Sequence, residues 1–116
     1  MDVQELTAQV ERVSQVYASR FGIDRDANWY VLKLQEEIGE LTQAHLMLSG
    51  QARAKGRSAE EIHAMFRAEV ADVLCQVLIL ARHHKIDVVD EIRSKWLVFA
   101  DDASPSRATA LSSEPN

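Results

Sequence analysis

Residues 68 to 81 read Ala-Glu-Val-Ala-Asp-Val-Leu-Cys-Gln-Val-Leu-Ile-Leu-Ala, and Glu69 and Asp72 are the only charges in the run. A helix that is apolar nearly all round is a buried helix, so this stretch predicts one packed on several sides. Carboxylates on such a helix are expensive unless something compensates them. A second acidic motif answers it upstream: Glu36-Glu37-Ile38-Gly39-Glu40, separated from Glu69 by residues 41–68. Both segments read as helix. Residues three apart lie on one side of a helix, so Glu37 points with Glu40 and Glu69 points with Asp72. Glu36 sits about 100° round from Glu37, on the flank of the pair.

Two like charges about 5 Å apart at an effective dielectric of about 20 repel by roughly 3 kcal/mol. Five such groups would need protons, basic partners or a hard divalent cation among them. Ligands that are all oxygen favour magnesium, manganese or calcium over zinc. A single E-E-x-x-E is ordinarily a solvated helix face. The second pair, embedded in an apolar helix, makes a cation site the better reading.

The rest of the chain supplies the scaffold. Val3, Leu6, Val10, Val13 and Tyr17 give the i, i+3/i+4 stripe of an amphipathic helix over residues 2–20, with Gly22 as a left-handed cap. Asp24 and Asp26 signal a second helix, from about Ala27 to Leu48. On it Tyr30, Leu34, Leu41 and Leu48 build an apolar face near Glu37, and Lys33 lies one turn before Glu37 on the same side. Trp29, near the Glu36 flank, has two uses open to it: stacking on a base, or packing in the core or an interface. Arg53, Lys55 and Arg57 belong to a loop whose loose spacing decides nothing.

Ser58-Ala59-Glu60-Glu61 is a capping box that starts a third helix, reaching His83 or His84. His63 reads as a surface residue near its start. The adjacent His83 and His84 suit the negative end of the helix dipole better than metal ligation. Asp87 opens a fourth helix through about Phe99, with Val88, Ile92, Trp96 and Phe99 as its stripe and Lys95 beside it. From Asp101 the composition turns to Ser, Pro, Ala and Thr, which predicts a disordered tail over 101–116 after an all-α domain over 1–100.

Composition narrows the functional classes. The 116 residues make one small domain, and the net charge of −5 gives no basic footprint for nucleic acid. The lone Cys75 rules out an internal disulfide framework and reads as a small buried hydrophobe. The acid-marked run at 70–81 is too short to span a membrane. Asp2 and Glu5 come early, without a signal-like apolar run, so a cytoplasmic protein is expected.

The order Lys33-Leu34-Gln35-Glu36-Glu37-Ile38-Gly39-Glu40-Leu41, then Glu69-Val70-Ala71-Asp72, resembles the MazG-like all-alpha nucleoside triphosphate pyrophosphohydrolases. Ala81-Arg82-His83-His84-Lys85-Ile86-Asp87, followed by Glu91-Ile92 and Lys95, is similar to that family's last helix. The likeness spans roughly residues 10 to 97. It implies attack of water on a (deoxy)nucleoside triphosphate to give the monophosphate and pyrophosphate, with Lys33 and Lys95 contacting phosphate. It also implies a homodimer or homotetramer. The family often follows its lysine with asparagine and arginine, where this chain runs Trp96-Leu97-Val98-Phe99. That part of a phosphate grip is therefore missing.

Four helices with short connections predict an all-α, compact four-helix-bundle-like protomer with the second and third helices antiparallel. Glu37 and Glu40 then face Glu69 and Asp72 as a four-carboxylate cage for magnesium, with manganese as the alternative ion. Glu36, on the flank, is assigned the general base. Leu32 and Leu46 oppose the acidic side of the second helix and the third is apolar all round. A monomer cannot hide both surfaces, which also predicts a dimer or tetramer. Three rivals remain at this stage. They are phosphoribosyl-ATP pyrophosphohydrolase on a similar bundle, a non-catalytic helical oligomerisation or regulatory module, and a calcium or iron bundle protein. The last lacks the histidine ligands and the loop pattern it needs.

Overall fold

The computed structural model describes residues 1–100. It is built from α1 (Val3–Phe21), α2 (Trp29–Leu48), α3 (Ala59–His83) and α4 (Val88–Lys95), closed by a 3₁₀ turn at Leu97–Phe99. The described residues contain no strand. The expected tail over 101–116 lies outside them.

Local chemistry sets the helix ends. Asp2 accepts from the Glu5 N–H to start α1, and Gly22 ends it at φ 62°, a left-handed conformation that costs glycine least. The α2 helix begins two residues later than its sequence suggests. Asp26 turns its carboxylate onto the N–H groups of Asn28 and Trp29, at 3.0 and 2.9 Å, and holds that stretch as a turn. The capping box of α3 is complete: Ser58 accepts from the Glu61 N–H, and the Glu61 side chain accepts from the Ser58 N–H. Asp87 caps α4 as expected, but α4 stops at Lys95. Beyond it the chain tightens into the 3₁₀ turn, so the predicted run to Phe99 is broken at Trp96.

The α2 and α3 helices form the main pair. They run antiparallel, because Tyr30 at the start of α2 stacks on His83 at the end of α3, with ring centroids 4.1 Å apart. At the other end His45 lies 6.2 Å from Phe66. Tyr30, Ala44 and Met47 from α2 and Ile62, Leu78, Ile79 and Ala81 from α3 are buried along this seam. The α1 helix lies across α3 and buries Ala18. Arg25 ties the α1–α2 connection back to α1 by a two-pronged bond to Glu11, at 2.8 and 2.9 Å, with Ser14 as a third partner at 3.1 Å.

Within the protomer α3 is not enclosed on all sides. Val70, Leu74 and Val77 are exposed on it, as are Val31 and Leu32 on α2. The reason is the helix count around α3: α2 covers one side, α1 part of another, and α4 mainly meets the turn that follows it. Buried positions on α3 are Ile62 near its start and Leu78, Ile79 and Ala81 near its end, with the exposed Val70 and Leu74 between them.

Candidate metal centre and cleft

The antiparallel pairing carries the two acidic motifs to the same level of the α2–α3 seam. One carboxylate oxygen each from Glu37, Glu40 and Glu69 falls within 4.8 Å of the other two. Glu37 is buried, at 8% exposure, although three of the five residues from Glu36 to Glu40 are acidic. The fourth expected ligand, Asp72, stands outside this tight set. It is near enough to act electrostatically on Glu37 and Glu69, and it lines the adjoining cleft together with Glu37.

The electrostatics are those of a cluster that Lys33 compensates only in part. Burial pushes the Glu37 carboxyl above its ordinary range, and the neighbouring Glu40 and Asp72 push it further, against the pull of Lys33. Glu69 is raised by burial, then by Glu40 and Asp72. Oε2 of Glu37 and Oε2 of Glu69 are both buried and find no hydrogen-bond donor among the described residues. Native proteins rarely leave buried carboxylate oxygens so. Two orphaned oxygens on members of a three-carboxylate cluster fit a hard cation, and the all-oxygen donor set favours magnesium or manganese.

Lys33 stands at the edge of the cluster. Its ammonium is 3.3 Å from Glu36 and 3.7 Å from Glu37. Burial works against its charge, but the Glu36 and Glu37 carboxylates outweigh that and hold its pKa above the usual value. Glu36, the assigned general base, is itself mostly exposed and engaged by this lysine. Trp29 packs edge-on against Tyr30, with the Arg25 guanidinium 5.9 Å from its ring centre.

A cleft of about 400 Å³ opens beside the cluster. Trp29, Lys33, Glu37 and Asp72 all line it, so four of the expected site residues share one space. Lys95 does not: it ends α4, exposed, and is absent from the cleft wall. The remainder of the wall was not assigned to a site in the sequence. It comes from Val10, Val13, Ser14 and Tyr17 of α1 and Cys75, Gln76 and Ile79 of α3. A signal for the α1 part did exist, because Val13 and Tyr17 continue that helix's apolar stripe. Here the stripe faces an open cleft, leaving Val13 69% exposed. A second cleft, of about 380 Å³, lies between the start of α1 and the α3–α4 turn and contains none of the clustered acids.

Comparison with protein-family models, with curated proteins and with solved structures finds no match.

Proposed function

We propose that the chain hydrolyses (deoxy)nucleoside triphosphates to the monophosphate and pyrophosphate in a magnesium-dependent reaction, at the α2–α3 seam. The observation that carries this reading is the convergence of Glu37, Glu40 and Glu69 with two buried, donor-less oxygens, directly beside a cleft that also holds a lysine. Glu37, Glu40 and Glu69 would hold the ion, with Asp72 completing the set from the cleft side. Magnesium bound there supplies positive charge against the phosphate oxygens and orients a water.

The chain's own groups divide the remaining work. Lys33, now engaged by Glu36 and Glu37, presents a positive charge at the cleft edge that would neutralise an arriving phosphate. Once phosphate takes Lys33, Glu36 is released to accept a proton from water at its carboxylate. Trp29 offers a ring face along the cleft wall. The exposed apolar residues of α2 and α3 support assembly as a homodimer or homotetramer, in which Lys95 of another copy would reach the phosphates.

The test is pyrophosphate release across a panel of canonical and modified triphosphates, with and without magnesium. Release should require the ion, and Glu37→Gln and Glu69→Gln should each lower it by at least about 100-fold. Variants that release pyrophosphate at the wild-type rate would remove the catalytic assignment.

A further inference from the structure

The α2–α3 pair has two faces, and only one of them carries the carboxylates. Tyr30 and Glu37 of α2 are buried in the seam, two helical turns apart. Glu69 and Gln76 stand in the same relation on α3, and each buries a side-chain oxygen. The residue before a seam position lies about 100° round in one sense, and the residue after it about 100° in the other. Those before include Trp29, Glu36 and Cys75. Trp29 and Cys75 line one cleft, so on this antiparallel pair the same sense of rotation reaches the same face from either helix. Those after are Val31, Ile38, Val70 and Val77, with Leu74 on the same stripe between the two valines. These five therefore share the opposite face, and the protomer leaves every one of them 37% to 53% exposed.

We infer that this face pairs with the same face of a second copy, so that two α2–α3 layers stack back to back and their carboxylate clusters look outward. The pairing holds whatever reaction the carboxylates serve. Its stripes are self-complementary: Val31 and Ile38 are two turns apart on α2, as Val70 and Val77 are on α3, so a two-fold axis sets apolar pairs against apolar pairs. Leu34, Gln35 and Val73, which fill the space between them, carry no charge. Followed on to His45 of α2 and His63 of α3, the face meets one Asp, Glu, Lys or Arg, which is Arg67. The other face holds Glu36, Glu37, Glu40, Glu69 and Asp72, and two copies of it would repel. About 21 Å of helix on two rods together about 20 Å wide gives an outline of about 400 Å². Two such faces, with their ridges counted, come toward the roughly 1,200 Å² at which specific interfaces begin. A lipid surface fits less well, because the face lacks the Lys and Arg flank that holds a helix on a membrane.

The experiment is sedimentation of the wild-type chain and of three charge substitutions over a dilution series. Ile38→Glu and Val70→Glu, one on each helix of the face, should each raise the dissociation constant of the pair by at least about 100-fold, because each would bury an unpaired carboxylate. Val16→Glu, at a comparably exposed valine on α1, should leave it within about threefold. Circular dichroism checks that the helices survive. A second measurement does not depend on those variants. In a Cys75→Ser chain, which removes the only native thiol, a spin label at Leu74→Cys should lie nearer its copy's label than one at Val16→Cys. A wild-type monomer at every concentration overturns the pairing, whether or not the chain then binds phosphatidylcholine vesicles. So does an assembly that survives both face substitutions, or one whose Val16 labels are the closer pair. Pyrophosphate release by a wild-type monomer would sink this inference and keep the hydrolase reading. A back-to-back dimer without that activity would do the reverse.

Discussion

Glu37 concentrates the conflict on which the site depends. Its carboxylate is buried beside Glu40, has one lysine at 3.7 Å, and keeps one oxygen without any donor. Such a group destabilises the metal-free fold whenever it is ionised. Glu37 and Glu69 both have pKa values raised above the ordinary 4.5, so the folded chain holds protons that the unfolded chain has released. Their cost is therefore absent below about the ordinary value and fully present above the raised ones. Glu11 acts in the opposite sense: hydrogen bonding to Arg25 lowers its pKa, and its stabilisation is lost only as pH falls through that depressed value. In chelator, the melting temperature should be higher at about pH 5.5 than at about pH 7.5. Glu37→Gln should raise it at the upper pH by a few degrees and flatten the difference. A thermal melt at the two pH values checks both; an unchanged slope in Glu37→Gln would show that this carboxyl is not the source. Saturating magnesium should reverse the slope, since protons compete with the ion for the same oxygens.

Among the helices, α1 does more than its sequence pattern advertises. Its apolar stripe splits between two duties: Ala18 is buried in the protomer, while Val13 and Tyr17 form a wall of the cleft. What holds it at the right height is the Glu11–Arg25 pair, whose side chains are each 14% exposed. Exposed pairs contribute under about 1 kcal/mol, whereas stranding one member of a buried pair costs about 3–5 kcal/mol. Arg25→Ala should fall between, at about 2 kcal/mol in a urea unfolding curve. The same change should also loosen the cleft and weaken nucleotide binding more than Glu61→Ala, which disturbs only the capping box at the far end of α3. Equal effects of the two substitutions on binding would deny α1 its place in the site.

At the scale of the whole molecule, the protomer leaves Leu32 at 66% and Leu74 at 52% exposure, among a series of other apolar side chains on α2 and α3. Burying a leucine is worth about 1.5–3 kcal/mol, so even a few such residues on one face favour self-association. Leu74→Arg would place a charge on that face. The wild-type chain should sediment as a dimer or tetramer and Leu74→Arg as a monomer, with helicity retained. A wild-type monomer at all concentrations would rule out the assembly, and with it any contribution of Lys95 from a second copy.

Read alone, the sequence determined what depends on neighbours in the chain. The 3.6-residue period placed four helices, Gly22, Ser58 and Asp87 marked their ends, and the i, i+3 spacing put Glu37 with Glu40. It could not set distances between helices, because these follow from how side chains of different size interlock across a seam. Packing alone decided that Glu37, Glu40 and Glu69 would close to 4.8 Å while Asp72 stood off toward the cleft. It also decided that Gln76 and Tyr17, silent as a pair in the linear chain, would face one space. The end of α4 at Lys95 was settled there too, since a stripe with little to pack against does not keep a helix going through Phe99.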